Sequence, residues 1–122
     1  MIRVVESNSF VDAEFPIRVV TDWEVISNRI ELGLLEKFQN VTVKLHTQNN
    51  EEDNAILDVT CDNISCRFYA RCYINSRGYG IIELRPDRNS YTGNPRDIPY
   101  ETYGASTASK LVDKISYIFK NV

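Results

Sequence analysis

The chain has 122 residues, 43% of them hydrophobic and 25% charged, with a formal net charge of −3. Those values fit one globular domain and exclude a disordered tail, a collagen-like repeat and a disulfide-dense scaffold. No uncharged apolar run reaches the roughly 18 residues of a membrane helix, and Arg3, Glu6, Asp12, Glu14 and Arg18 interrupt any apolar signal-peptide core. The expectation is a cytoplasmic protein without a membrane segment.

Residues 2–5 form a β-branched run suited to a strand, and a polar stretch around Phe10 and Val11 follows as a loop. Residues 15–20 read as extended, because Pro16 lacks an N–H and biases Phe15 away from helix; this places the segment at a sheet edge. Thr21-Asp22-Trp23-Glu24 is a capping box that opens the first helix, with Val20 and Val25 at the staple positions. Trp23, Ile26, Ile30, Leu34 and Phe38 then recur every three or four residues as one apolar stripe, with Asn40 as the stop. Gly33 costs this helix about 1 kcal/mol relative to alanine, so close packing is expected there.

Four strands are predicted next. Val41, Val43 and Leu45 alternate with Thr42, Lys44 and His46, and an acidic turn occupies residues 49–54. Leu57, Val59 and Cys61 alternate with Asp58, Thr60 and Asp62, and a four-residue turn is expected at residues 62–65. Phe68, Ala70, Cys72 and Ile74 alternate with Arg67, Tyr69, Arg71 and Tyr73. A turn at residues 75–78 leads to a strand from Tyr79 to Arg85, which Pro86 is expected to end. Residues 86–104 carry three prolines and two glycines and read as a long loop. Ala108, Leu111, Val112, Ile115, Ile118 and Phe119 mark a second amphipathic helix. The fold class is thus α+β: a single domain with an antiparallel meander of four to six strands and two amphipathic helices packed on one face.

Chemistry is sparse. Cys61 and Cys66 could face each other across the turn, and with Cys72 and His46 would make a four-ligand set, but C-x4-C-x5-C lacks paired zinc-ribbon spacing. Buried free thiols are the expectation, with neither metal nor cofactor. His46 has no local nucleophile motif beside it, and Walker, H-E-x-x-H and G-x-S-x-G sequences are lacking, so no enzyme is expected. Asp58 and Asp62 are expected to balance Arg67 and Arg71 across strands. Arg77-Gly78-Tyr79-Gly80 matches the first half of an RNA-recognition octamer, but Ile81 and Leu84 stand where aromatics belong, and the match is set aside.

The uneven quantity is charge. Residues 1–66 hold five basic against twelve acidic residues, whereas residues 67–122 hold nine against five, and all seven tyrosines lie at or beyond Tyr69. Arg67, Tyr69, Arg71 and Tyr73 project from one strand face, with Arg77, Tyr79, Arg85, Arg88 and Arg96 following. Arginine and tyrosine are enriched at interface hot spots, so the first reading is a non-enzymatic binder that occludes a protein partner, as a phage inhibitor or immunity-type protein does. The alternative is an anionic ligand, a nucleotide signal or single-stranded nucleic acid, held by the same Arg/Tyr face. A phosphate subsite at residues 104–109 beside Arg88 and Arg96 is a further candidate. Homodimerisation stays open.

Overall fold

The structure, a computed structural model, describes residues 23–46, 54–74, 80–96, 98, 102–105 and 108–120. The segments 2–5 and 15–20, Thr21 and Asp22 of the capping box, and the turns at 49–53 and 75–78 lie outside the described residues. Helix α1 spans Trp23–Leu35, and strands β1 (Val41–His46), β2 (Asn54–Cys61), β3 (Ile64–Ile74) and β4 (Gly80–Asp87) follow. A single 3₁₀ turn at Arg88–Ser90, a short strand β5 (Tyr103–Ala105) and helix α2 (Ala108–Lys120) complete the order. The five strands form one antiparallel sheet in the order β1-β2-β3-β4-β5, as a meander requires.

Period-2 alternation decides which side chains meet the helices. Leu57, Val59 and Cys61 of β2, Cys66, Phe68, Ala70 and Cys72 of β3, and Ile82 and Leu84 of β4 all point inward and are buried. Both helices cover that face, adding Trp23, Ile26, Ile30 and Leu34 from α1 and Leu111, Val112, Ile115, Ile118 and Phe119 from α2. These are the residues of the two apolar stripes. The buried hydroxyls of Ser27 and Ser116 donate to the carbonyls of Glu24 and Asp113 in their own helices, so neither is an orphan. Gly33 lies where the helices touch: a Cβ there would stand 2.8 Å from Cγ2 of Val112.

Several boundaries differ from the sequence expectation. The first helix ends at Leu35, short of Asn40. Its last carbonyl turn closes through Lys37 N–H and Phe38 N–H, both donating to Leu34 O, and Phe38 packs edge-on against Phe119 at 6.3 Å. The turn after β2 is two residues long, because Cys61 pairs with Ile64. Asp62 takes a left-handed φ of 54°, accessible to Asp at modest cost, and its carboxylate accepts from Asn40 N–H at 3.0 Å. Strand β3 therefore begins at Ile64, not Arg67.

Pro86 does not end β4. It pairs with Phe68 at a point beyond Leu84, where β5 no longer runs alongside, so its missing N–H removes no ladder bond on that side. The stretch expected as one long loop is likewise partly regular. Residues 86–87 complete β4, β5 joins the sheet at residues 103–105, and the Arg88 guanidinium donates to the carbonyls of Ile98 and Pro95. Thr92 then exchanges bonds with Ser65, its N–H donating to Ser65 O and its hydroxyl accepting from Ser65 N–H. Residues 88–92 thereby carry the partnering of β3 past the end of β4. At β1, the N–H of Val43 is taken by Glu31 of α1 at 3.0 Å, so a helix carboxylate occupies part of that strand's outer edge.

Candidate functional site

The outward face of the sheet collects the residues singled out by alternation, and register arranges them in rows across the strands. One row runs His46, Ile56, Tyr69, Arg85. It lies between a row of Lys44, Asp58, Arg67 and Asp87 and a row of Asn54, Arg71, Glu83 and Gly104. Beyond these, Tyr73 pairs with Ile81 and Thr60 with Ser65. The surface thus has Ile56 and Tyr69 at its centre, His46 and Arg85 at the two ends of their row, and alternating charges on the bordering rows.

Opposite charges sit next to each other along those borders. Arg67 grips Asp58 with a two-point fork, Nε donating to Oδ1 at 2.7 Å and Nη2 to Oδ2 at 3.0 Å. His46 Nε2 reaches the same carboxylate at 2.8 Å. The Arg67 fork, opposed by burial and aided by His46, holds the Asp58 carboxyl below the usual carboxylate range. Arg71 Nε donates to Glu83 Oε1 at 2.7 Å. Asp62, expected to balance Arg71, instead faces Asn40 in the turn, and Glu83 takes its place because the β3–β4 register puts it opposite Arg71.

The tyrosines are braced by the arginines. Arg71 Cζ stands 4.9 Å from the Tyr73 ring centroid and Arg85 Cζ stands 5.1 Å from that of Tyr69. Tyr69 is 38% exposed, and its hydroxyl points toward Asp87 at 3.4 Å. A recess of about 340 Å³ opens beside Tyr69, Arg71, Glu83 and Arg85, reaching Asn54 and Thr102. A second, of about 320 Å³, lies over Lys44, Asp58, Arg67 and Asp87 with the hydroxyls of Thr42, Thr60, Ser65 and Ser90 on its walls.

Of the predicted site residues, Arg67, Tyr69, Arg71, Tyr73 and Arg85 share this face. Arg77 and Tyr79 lie outside the described residues. Arg88 is withdrawn from the face by its bonds to Pro95 and Ile98, and Arg96 is exposed in the segment between β4 and β5. The phosphate subsite expected at residues 104–109 falls partly outside the described residues, and Gly104 O accepts from Lys114 Nζ at 2.6 Å. Sequence reasoning passed over Glu83, Asp87, Ile56 and Ile81. The parity that buries Ile82 and Leu84 was sufficient to turn Ile81, Glu83 and Asp87 outward.

Cysteine geometry is equally clear. Register sets Cys66 opposite Val59 and not opposite Cys61, so the two do not face each other. All three cysteines are free and buried on the inner face, whereas His46 is on the outer one, so they form no common ligand set. Burial pushes the thiols of Cys61 and Cys66 up to about 12. Comparison with known proteins gives no matching family model, no matching curated protein and no matching solved structure.

Proposed function

We propose that this chain acts by binding, without chemistry of its own, and that the outward sheet face docks on a protein partner and occludes it. The observation that carries the reading is the pair of tyrosines each braced by an arginine, Tyr69 under Arg85 and Tyr73 under Arg71. Such side chains offer large contact area already held in place, so little rotamer freedom is lost on docking. Ile56 beside Tyr69 on β2 and Ile81 beside Tyr73 on β4 extend the apolar area on either side of β3.

The alternative, a nucleotide or a single nucleic-acid strand, is less well supported. Asp58, Glu83 and Asp87 are interleaved with the arginines, so a polyphosphate lying along either border would meet a carboxylate beside each cation. The test is quantitative binding of partners captured with the purified chain, compared among wild type, Tyr69→Ala/Tyr73→Ala and Leu32→Ala on the exposed side of α1. A partner lost only by the tyrosine double variant, at affinity that changes little with salt, supports the docking face. Binding insensitive to the tyrosines overturns it, and a bound oligonucleotide with a steep salt slope favours the alternative.

A further inference from the structure

Four outward residues at the centre of β3 and β4 include one guanidinium that, among the described residues, is not paired with a carboxylate. Tyr69 and Arg71 on β3 face Arg85 and Glu83 on β4, forming a square whose diagonal corners are the two arginines. Arg71 is committed to Glu83. Arg85 Cζ stands over the Tyr69 ring and, among the described residues, Arg85 has no carboxylate in ion-pair range. The recess of about 340 Å³ opens against this square, with Asn54 and Thr102 on its rim.

Resting on the reading of this face as a protein-docking surface, we infer that the recess receives an acidic side chain of the partner, whose carboxylate is held by Arg85 with Tyr69 beneath it. Charge complementarity carries the choice of occupant. Among the described residues that line it, the recess brings two arginines against one glutamate. One carboxylate suffices to balance that excess. A guanidinium stacked on a ring keeps its N–H edges free, and a planar fork on a rigid support matches a carboxylate at low ordering cost. A phosphate chain fits less well, since a second and third charge would fall near Glu83 and Asp87. The rim amide and hydroxyl of Asn54 and Thr102 can meet the peptide groups flanking the acidic residue.

Random linear peptides displayed on phage and selected on the folded full chain test this inference. The expected result is enrichment of sequences with one Asp or Glu beside an aromatic or apolar residue. Their synthetic forms should bind at least about tenfold more weakly to Arg85→Ala, weakly also to Arg85→Lys, and normally to Lys110→Ala on the exposed side of α2. Thermal unfolding of each variant verifies that it is folded. Peptides that bind the sheet, are lost in Tyr69→Ala/Tyr73→Ala, but lack an acidic residue or ignore Arg85→Ala overturn the carboxylate anchor and leave the docking face standing. Peptides that survive both substitutions, or a selection that enriches nothing, overturn both. Competition by inorganic phosphate at millimolar concentration, without competition by acetate, would assign the recess to phosphate and overturn the acidic side chain.

Discussion

Arg67 and Asp58 are cross-strand partners on β3 and β2, joined by two nitrogen–oxygen contacts of 2.7 and 3.0 Å. The pair has a defined consequence for acid stability. Because Arg67 above all lowers the Asp58 carboxyl, the folded form releases its proton more readily than the unfolded chain. The stabilisation is present above the unfolded carboxyl's value of about 3.9 and is lost as pH falls through the lower folded value. Urea unfolding between pH 2 and pH 7 is expected to show a steeper acid loss for wild type than for Asp58→Asn. Superimposable acid limbs would show that the fork adds nothing beyond ordinary carboxylates.

The contact between Gly33 and Val112 gives a prediction opposite to helix propensity. Alanine at residue 33 should gain about 1 kcal/mol in an isolated helix. Here its Cβ would press on a stiff valine branch at 2.8 Å. Overpacking of this kind costs about 1–3 kcal/mol, so Gly33→Ala is expected to be neutral to destabilising by up to about 2 kcal/mol. Val112→Ala should remove the obstacle. In a double-mutant cycle the pair should therefore lose less than the sum of the single variants.

Asp62 serves the β2–β3 turn in two ways that substitutions can separate. Asp62→Gly relieves the left-handed backbone but discards the acceptor for Asn40 N–H; Asp62→Ala loses the acceptor and adds strain. The alanine variant is expected to be less stable than the glycine variant by about 1 kcal/mol. Chemical denaturation of the two reads the difference directly. Equal stabilities would mean that the turn has relaxed out of its positive φ.

The thiols predict silence. With Cys61 and Cys66 pushed up to about 12 and Cys72 buried further along the same inner face, an aromatic disulfide reagent at pH 8 should label no cysteine of the native chain. In strong denaturant it should label all three cysteines of the sequence. Fast labelling without denaturant would show a local opening of the sheet's inner face.

What was legible in the sequence was whatever one strand or one helix decides alone. Alternation placed Arg67, Tyr69, Arg71 and Tyr73 on a common face, and the spacing from Trp23 to Leu34 named the buried stripe of α1. What remained hidden depended on partners distant in sequence. The turn length was misread because Asp62-Asn63-Ile64-Ser65 is locally as good a four-residue turn as a two-residue one; Asn40, far upstream, tips the choice. Glu83 as the partner of Arg71 follows from β3–β4 register, which alternation leaves open by even shifts. Arg88, a candidate binding residue by sequence, is a brace for carbonyls several residues downstream.

The meander also bears on how the chain is made. Each of the five described strands bonds to its neighbour in sequence, so the sheet can be zipped up hairpin by hairpin, with the segment between β4 and β5 as the long closure. The helical layer has no such order: α1 precedes the five described strands, and α2, against which it packs, follows them. During synthesis the five described strands are all made before α2 can add its side chains to the cluster that holds Leu57, Phe68 and Leu84. Until α2 is made, part of that apolar surface lacks its cover, and transiently exposed apolar surface is what makes partly folded chains prone to aggregate.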